Sequence, residues 1–363
     1  MLTGALDGWP ALAGWNPEHL KKRLAGRRLR VAWSTDGVFD YADDAPVFTS
    51  EEMDGAQAAA VISETGVSER HPYLMQQPIA KVAPELLDDI PIPPWARARK
   101  VDPYLWFGAA GCVSPLHFDV ANNLFAQVYG RKRFTLVAPE RYQELAPAPV
   151  SARHANLSRL DPERPDLIRF PAFASVETLQ CEVGPGDLLY LPPFYWHHVR
   201  SLEVSISVSV WWAPRLAQFL VPAGRSLIVQ YYRRDRLVSL RNLPSDAEEL
   251  GGFAGMARAL AARGAPGLAA LFAGAALEDA VRRLHLARVG PLGAAAVRDL
   301  PGMIARLAAA GAVDETEKAD LDAGSAAIER ALEGEADPPT AAVLLALARA
   351  LELRRDSAGG SKR

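Results

Sequence analysis

The 363-residue chain changes composition near residue 214, and this change limits its possible folds more than any other feature. All eight tryptophans lie at or before Trp212, and twenty-one of the twenty-eight prolines lie at or before Pro214. Beyond that point the sequence is rich in Ala, Leu, Arg and Glu, which have high helix propensity. We therefore predict two domains, a β-rich domain over residues 1–213 and an all-α domain over residues 214–363.

Short runs of β-forming residues separated by turns rich in glycine or proline predict that the first domain is mainly β. The turns at residues 130–132 and 184–187 each separate two such runs, and both patterns predict β-hairpins. The 139–175 segment is long, polar and rich in proline, which is typical of functional or inserted loops. Several short strands with such turns favour a closed or sandwiched all-β unit.

Residues 204–210, Val-Ser-Ile-Ser-Val-Ser-Val, alternate strictly between apolar and hydroxyl side chains. A period of two places the valines and the isoleucine on one face of a strand and the three serines on the other. In a small barrel the serine face would line a polar interior, whereas in a sandwich it would face water.

The second domain is predicted to consist of helices. A first helix is predicted over Leu216–Arg241, and a second, capped by Ser245, over Asp246–Arg263. Four more are predicted over Gly267–Arg288, Gly293–Ala310, Glu315–Glu333 and Thr340–Arg354.

The pattern His-x-Asp at residues 117–119 contains the side chains best suited to chemistry. Positions i and i+2 of a strand point the same way, so the imidazole of His117 and the carboxylate of Asp119 can reach one point. A neutral nitrogen and an anionic oxygen make up two thirds of the facial triad that binds Fe(II) and leaves three positions open. The third ligand should be a histidine on a neighbouring strand, and the pair His197-His198 offers one.

Two longer runs resemble the JmjC/cupin-like family of Fe(II)- and 2-oxoglutarate-dependent oxygenases. They are HFDVANNLFAQVYGRKR at residues 117–133 and GPGDLLYLP at residues 184–192, the second leading into Trp196-His197-His198. Within that family the chain resembles the asparaginyl hydroxylase that acts on hypoxia-inducible factor. The resemblance covers roughly residues 15–213 and implies a double-stranded β-helix core (jelly-roll/cupin, JmjC-type) with N-terminal α/β decoration.

The resemblance also implies roles for single residues. The expected metal ligands are His117, Asp119 and His197, because in relatives the first histidine of the pair is the ligand. Lys132 is expected to bind the distal carboxylate of 2-oxoglutarate; without the resemblance it would be interpreted as a solvated charge in a turn. Four more residues are expected to contact the cosubstrate: Tyr73, Ser114, Asn123 and Ser209. Position 209 is asparagine in the asparaginyl hydroxylase, and Tyr73 has the alternative interpretation of a packing aromatic.

The resemblance implies an enzyme, a 2-oxoglutarate-dependent dioxygenase that uses Fe(II) and O2 and releases succinate and CO2. The expected reaction is hydroxylation of a C–H bond on a protein or peptide side chain. Demethylation would need a pocket for a methylammonium group, and basic clusters at Lys21–Arg30 and Arg97–Lys100 leave an RNA substrate open. Two alternatives are a metal-dependent cupin enzyme that does not use 2-oxoglutarate, in which Lys132 has no role, and a non-catalytic binding protein with the same fold.

Charge and cysteine content exclude several other classes. With 40 basic and 43 acidic residues the net charge is −3, so no global field attracts the chain to nucleic acid or a membrane. The two cysteines, Cys112 and Cys181, form no CxxC pair, which excludes a disulfide scaffold and a thiolate zinc site. A cytoplasmic location is expected, since no secretory signal and no apolar run of membrane-spanning length is evident. A homodimer through the C-terminal helices is also expected, by similarity to relatives.

Overall fold

The chain forms two units in the computed structural model, the first from residues 1–214 with 221–223 and the second from residues 215–220 with 224–363. The structure describes residues 1–42, 45–64, 70–92, 101–149, 152–236, 244–293, 296 and 299–359. The basic cluster at Arg97–Lys100 lies outside the described residues. None of the helices among the described residues has the length and apolar composition needed to cross a membrane.

Antiparallel strands supply most of the regular structure of the first unit. Those of the described residues are, in chain order, β1 (Arg28–Ser34), β2 (Tyr41–Ala42), β3 (Ala45–Pro46), β4 (Thr49–Asp54), β5 (His71–Pro78), β6 (Asp102–Gly108), β7 (Val113–Phe118), β8 (Asn122–Tyr129), β9 (Lys132–Val137), β10 (Leu179–Val183), β11 (Leu188–Leu191), β12 (Trp196–Ser201) and β13 (Ser205–Trp212). The large sheet has the order β11-β8-β13-β6-β5-β1-β4 and the small sheet the order β10-β9-β12-β7, while β2 pairs with β3.

Strands β6 to β13 form the double-stranded β-helix. Their four-stranded layers are β11-β8-β13-β6 and β10-β9-β12-β7, and every pair within these layers is antiparallel. The chain passes repeatedly from one layer to the other, which is the topology of a jelly roll. Strands β5, β1 and β4 extend the large sheet beyond β6. The predicted mainly β, cupin-type fold is confirmed.

Short helices pack against the large sheet as N-terminal decoration. In the first unit they are α1 (Pro10–Gly14), α2 (Pro17–Leu24), α3 (Gly55–Glu64) and α4 (Ile79–Val82), with a 3-10 helix at Pro84–Asp89. Two further 3-10 helices, at Pro139–Leu145 and Pro171–Ser175, lie between β9 and β10 in the chain. Leu20 and Leu24 of α2 and Ile62 of α3 share one apolar core with Ile206 and Val208 of β13. The apolar face of β13 is therefore buried under helices.

The opposite face of β13 carries the serines, and it faces the interior of the β-helix. Ser205, Ser207 and Ser209 are all buried, and the Ser207 hydroxyl donates a hydrogen bond of 2.9 Å to Oε1 of Gln127. Of the two alternatives for the alternating segment, the barrel with a polar interior is correct.

Both predicted hairpins are wrong, although the turns are present. The turn at 130–132 joins β8 of the large sheet to β9 of the small sheet, and the turn at 184–187 joins β10 to β11 in the same way. Gly130 has a φ of 66°, and a Cβ there would lie 2.1 Å from the carbonyl oxygen of Val204. Local turn chemistry predicts where the chain reverses, but in a jelly roll the reversing strands pair with more distant ones.

From Leu216 onward every regular element among the described residues is helical. After a 3-10 helix at Leu216–Leu220 come α5 (Pro222–Asp235), α6 (Gly252–Ala261), α7 (Pro266–Arg288), α8 (Leu300–Ala309), α9 (Glu315–Leu332) and α10 (Pro338–Gly359). Helix α7 is central, since it contacts α6, α8, α9 and α10. The prediction of a helical C-terminal part is confirmed.

Three of the predicted helices have clearly different bounds, and one of them, predicted over Gly293–Ala310, begins only at Leu300 after the N-cap Asp299. The single helix over Leu216–Arg241 is interrupted because Pro222, which has no N–H, begins a new helix; residues 237–243 lie outside the described residues. The helix predicted from Asp246 begins instead at Gly252, since Gly251 and Gly252 have φ angles of 81° and 69°. The Asp246 carboxylate accepts a hydrogen bond of 2.8 Å from the Leu216 N–H.

Candidate metal and cosubstrate site

A cavity of about 290 Å³ is lined by strands of both sheets of the β-helix. All eight residues selected from the sequence line it: Tyr73, Ser114, His117, Asp119, Asn123, Lys132, His197 and Ser209. The fold therefore brings together residues that are up to 136 positions apart in the chain, since His197 and Ser209 follow Tyr73 by 124 and 136 positions.

Three side chains with metal-binding atoms converge at one end of the cavity. His117 of β7 and His197 of β12 are directly paired in register, and their ring centroids are 4.1 Å apart. Asp119 follows the end of β7, and its Oδ2 lies 3.9 Å from Nε2 of His197. One ligand atom from each of the three residues lies within 4.8 Å of the others. This spacing would allow all three side chains to bind the same metal ion.

Backbone carbonyls fix the orientation of both imidazoles. Nδ1 of His117 lies 2.7 Å from the carbonyl oxygen of Pro115, and Nδ1 of His197 lies 3.0 Å from that of Tyr195. A carbonyl oxygen only accepts, so in each ring Nδ1 carries the proton and Nε2 keeps a free lone pair. Such an outer hydrogen bond is the usual partner of a metal-bound histidine.

Burial shifts the pKa values of Asp119 and His197 in opposite directions. It raises the pKa of the Asp119 carboxyl, an effect that the neighbouring His117 opposes, and it lowers the pKa of His197 well below its ordinary value. A neutral imidazole is the metal-binding form of histidine, and a divalent ion beside Asp119 would favour its carboxylate. The donor set therefore fits Fe(II).

Lys132, the first residue of β9, is buried beside these ligands with only 1% of its surface exposed. Its Nζ donates a hydrogen bond of 3.0 Å to the Tyr73 hydroxyl, and among the described residues it forms no ion pair with a carboxylate. Burial lowers the pKa of Lys132 to about 8. A buried ammonium without an anionic partner is costly, so this position fits a carboxylate ligand and is not a solvated turn charge.

The Ser114 hydroxyl lies near that of Tyr73 and opposes the rise in the Tyr73 pKa that burial causes. Ser114 precedes His117 by three positions, an odd spacing that would place the two on opposite faces of a regular strand. The pairing of β12 with β7 shifts register between His197 and Val199, and this irregularity lets both side chains line the cavity.

Asn123 and Ser209 differ in how free they are to bind a ligand. Oδ1 of Asn123 is buried without a hydrogen-bond partner among the described residues, so it is available to a bound molecule. The Ser209 hydroxyl already accepts a hydrogen bond of 3.0 Å from Nε1 of Trp106.

His198 belongs to a different environment from His197. Its ring lies near Asp161 and Glu163, with one ligand-type atom from each of the three within 4.8 Å of the others. Both carboxylate oxygens of Glu163 accept from the guanidinium of Arg200, at 2.9 and 2.8 Å from its Nε. An ion pair thus occupies this second cluster, and it is His197 that lines the cavity.

Several residues that line the cavity were not selected from the sequence: Tyr41, Gln76, Trp106, His154 and Asn156. The rings of Tyr41 and His154 stack with centroids 3.9 Å apart. These residues come from four separate segments, since only His154 and Asn156 are neighbours in sequence, and they match no motif used above. The only sequence signal for His154 and Asn156 was the length and composition of the 139–175 segment.

Comparison with known proteins places the first unit in a family. The family described as "Cupin-like domain" matches residues 1–218. The chain is 33% identical to "Lysine-specific demethylase 8" of Xenopus tropicalis over 218 residues, 59% of this chain and 47% of that protein. It is 34% identical to "Jumonji C domain-containing protein 5" of Drosophila melanogaster over 219 residues, 58% and 54% of the two chains.

A third relative is the human "Bifunctional peptidase and (3S)-lysyl hydroxylase JMJD7", which is 27% identical over 242 residues, 58% of this chain and 76% of that protein. The chain spans about half the length of the first two relatives. Enzymes of the JmjC family use Fe(II), 2-oxoglutarate and O2, and the residues of the cavity fit this set. Because the Cupin-like domain matches more than half of this chain, the chain belongs to the JmjC, cupin-like family of oxygenases.

Proposed function

We propose that this protein is an Fe(II)- and 2-oxoglutarate-dependent oxygenase that hydroxylates a C–H bond of a protein or peptide side chain, with succinate and CO2 as coproducts. The observation that carries the proposal is the convergence of two features in one cavity. The side chains of His117, Asp119 and His197 converge with their metal-binding atoms, and the buried ammonium of Lys132, which has no counter-ion among the described residues, lines the same cavity.

In this proposal His117, Asp119 and His197 hold the iron, and the two imidazoles bind through Nε2. When bound, Fe(II) supplies the activation of O2, which no side chain of the protein can perform. The protein's own contribution is to keep both histidines in the binding tautomer and to orient the carboxylate of Asp119 towards them.

Lys132, Tyr73 and Ser114 form the proposed cosubstrate-binding group. The ammonium of Lys132 would pair with the distal carboxylate of 2-oxoglutarate, and the two hydroxyls would donate to the same carboxylate. The free Oδ1 of Asn123 would add a polar contact nearby. Trp106 and Trp211, whose rings meet edge to face at 6.2 Å, form an apolar wall that excludes water from the reacting atoms.

Two observations favour a protein substrate over RNA. Two relatives carry the names lysine-specific demethylase and lysyl hydroxylase, and both names specify lysine, a component of proteins, as the target. In the basic cluster at Lys21–Arg30, Arg27 pairs with Glu85 at 2.6 Å, and Arg30 pairs with Glu52 at 3.4 Å. These pairs neutralise part of the positive charge that a phosphate backbone would need.

We also propose that the C-terminal helices mediate a homodimer. Apolar side chains that are at least 42% exposed lie on or directly after these helices: Leu286, Val289, Val343 and Leu353. Sedimentation over a range of protein concentrations should show a dimer, and a monomer mass at all concentrations would refute this part of the proposal.

The test of the proposed activity is 2-oxoglutarate turnover by the full chain. We expect succinate to form with Fe(II) and 2-oxoglutarate, and a peptide substrate to gain one oxygen atom by mass spectrometry. Lys132→Ala should lose succinate formation while it still binds the metal. No metal binding and no succinate would instead support a non-catalytic protein, and metal-dependent activity unaffected by Lys132→Ala would support a cupin enzyme of another class.

A further inference from the structure

Within the 139–175 segment, residues 156–158 run along β7, the strand that carries His117. Strand β7 is at the edge of the small sheet, where its outer backbone groups would lack partners. The Ser158 N–H donates to the carbonyl oxygen of Leu116 at 2.8 Å, and Leu157 forms a bridge with His117. The segment therefore completes the hydrogen bonding of the ligand-bearing strand.

Asn156 makes the contact nearest to the ligands. Its backbone carbonyl accepts a hydrogen bond of 3.1 Å from the Phe118 N–H, and its side-chain Nδ2 donates one of 3.0 Å to the Phe118 carbonyl. Both backbone polar groups of Phe118 are thus bound by a single residue. Because Phe118 separates His117 from Asp119, its two peptide planes set the directions in which the two ligand side chains leave the chain.

The sheet itself does not hold Asp119. Phe118 is the last residue of β7, and its pair with Trp196 is the last pair between β7 and β12. Beyond this point the Asp119 carbonyl accepts a hydrogen bond of 2.7 Å from the N–H of Phe194. The orientation of Asp119 is therefore fixed from outside the strand ladder, by Asn156 before it and by Phe194 across from it.

We infer that Asn156 is a positioning residue for the metal site, acting through the Phe118 peptide and not as a ligand. This inference rests on the proposed function, since it requires that His117, Asp119 and His197 bind a metal. Groups that orient metal ligands from outside typically contribute ten- to a hundredfold to metal affinity. A residue that only helped the segment to fold would change stability and leave metal affinity as it was.

The experiment compares Asn156→Ala with Ser158→Ala, a matched control in the same segment. The Ser158 hydroxyl is buried and bonds to the Leu145 carbonyl and the Leu160 N–H, away from the ligand strand. Mn(II), which accepts the same nitrogen and oxygen ligands and does not react with O2, serves as the probe. Its dissociation constant is measured on the metal-free full chain by calorimetry, with thermal unfolding followed in parallel.

We expect Asn156→Ala to raise the Mn(II) dissociation constant about ten- to a hundredfold. Ser158→Ala should lower the unfolding temperature and leave the Mn(II) constant within about twofold of wild type. Asn156→Leu, which has a similar branched shape but no N–H to donate to the Phe118 carbonyl and no charge, should weaken Mn(II) binding as well. This variant carries the test if Asn156→Ala does not fold.

Wild-type Mn(II) affinity in a folded Asn156 variant would overturn the inference and leave the proposed function intact. An equal loss of affinity in Ser158→Ala would also overturn it, because the effect would then belong to the segment as a whole. A wild-type protein that binds no Mn(II) would refute the proposed metal site, and the inference with it.

Discussion

Both units bury an ionisable side chain, Lys132 in the first and Glu278 in the second, but they stabilise the charge in different ways. Glu278 of α7 accepts a hydrogen bond of 2.9 Å from the Tyr232 hydroxyl and lies 3.6 Å from the guanidinium of Arg236. Lys132 has the Tyr73 hydroxyl, and among the described residues no carboxylate pairs with it.

The charge of Glu278 is compensated within the fold, whereas among the described residues that of Lys132 is not. Burial raises the pKa of Glu278, but Arg236 and the Tyr232 hydrogen bond oppose this effect within the fold. For Lys132 burial is the dominant influence, and its pKa falls to about 8. A buried polar group whose partners are complete specifies the packing of its core, whereas an incomplete one marks a binding site.

The largest expected effect follows from removing the charge of Lys132, which has no carboxylate partner among the described residues. Lys132→Met, of similar volume, should raise the dissociation constant for 2-oxoglutarate about a thousandfold, since the ligand carboxylate would be buried without its partner. The Mn(II) dissociation constant should not change, and the unfolding temperature of the ligand-free protein should rise because an unpaired buried charge is removed. Calorimetry and thermal unfolding measure these effects. Unchanged 2-oxoglutarate affinity would contradict the comparison.

Removing Glu278, whose charge is compensated within the fold, should reduce stability and leave 2-oxoglutarate binding unchanged. Glu278→Ala leaves the buried Tyr232 hydroxyl without its acceptor, whereas Arg236 keeps Glu329 at 3.2 Å, so we expect a loss of about 2 kcal/mol in the free energy of unfolding. Urea unfolding followed by far-UV circular dichroism measures it. The 2-oxoglutarate dissociation constant should stay at its wild-type value. Glu278→Gln, which can still accept from Tyr232, is the control and should lose less.

A pH titration sharpens the comparison without mutating the site. Lys132 must be protonated to bind a carboxylate, so above pH 8 the dissociation constant for 2-oxoglutarate should rise about tenfold per pH unit. Between pH 8 and the ordinary lysine value of 10.5 the unfolded chain binds more protons than the folded one, so this group makes stability rise with pH there. Lys132→Arg, charged throughout this range, should remove the pH dependence if it binds 2-oxoglutarate; the same slope in that variant would contradict the assignment.

Strand geometry and the family resemblance predict different parts of this site. A His-x-Asp pattern on a strand places both side chains on one face by geometry alone, and the structure shows that arrangement for His117 and Asp119. The position of Lys132 followed only from the family resemblance, because Arg-Lys-Arg after a glycine turn is equally typical of a solvated turn. Burial of a lysine depends on the whole fold, and no local pattern encodes it.

Other features had no local signal. Asn156 acts through backbone atoms of Phe118, 38 positions earlier in the chain, and backbone atoms carry no sequence pattern. The turn at Gly130 was predicted correctly. A turn sequence indicates that the chain reverses but not which strands pair, and β8 and β9 were therefore wrongly expected to form a hairpin. Ser114 lines the cavity with His117 only because of a register shift between β7 and β12.

The smallest expected effect concerns Ser209, which lines the same cavity as Lys132. Its hydroxyl is occupied by Nε1 of Trp106, so Ser209→Ala should cost about 1 kcal/mol of unfolding free energy, as a typical lost hydrogen bond does. The 2-oxoglutarate dissociation constant should change by less than about threefold. Ser207→Ala is the matched control, two positions earlier on the same face of β13, where it bonds to Gln127. A tenfold loss of cosubstrate affinity in Ser209→Ala, with none in Ser207→Ala, would show that Ser209 exchanges Trp106 for the cosubstrate on binding. A side chain whose hydrogen bonds are already made within the fold would then also act in ligand binding, and the contrast between Lys132 and Glu278 would not predict which side chains of the cavity bind the cosubstrate.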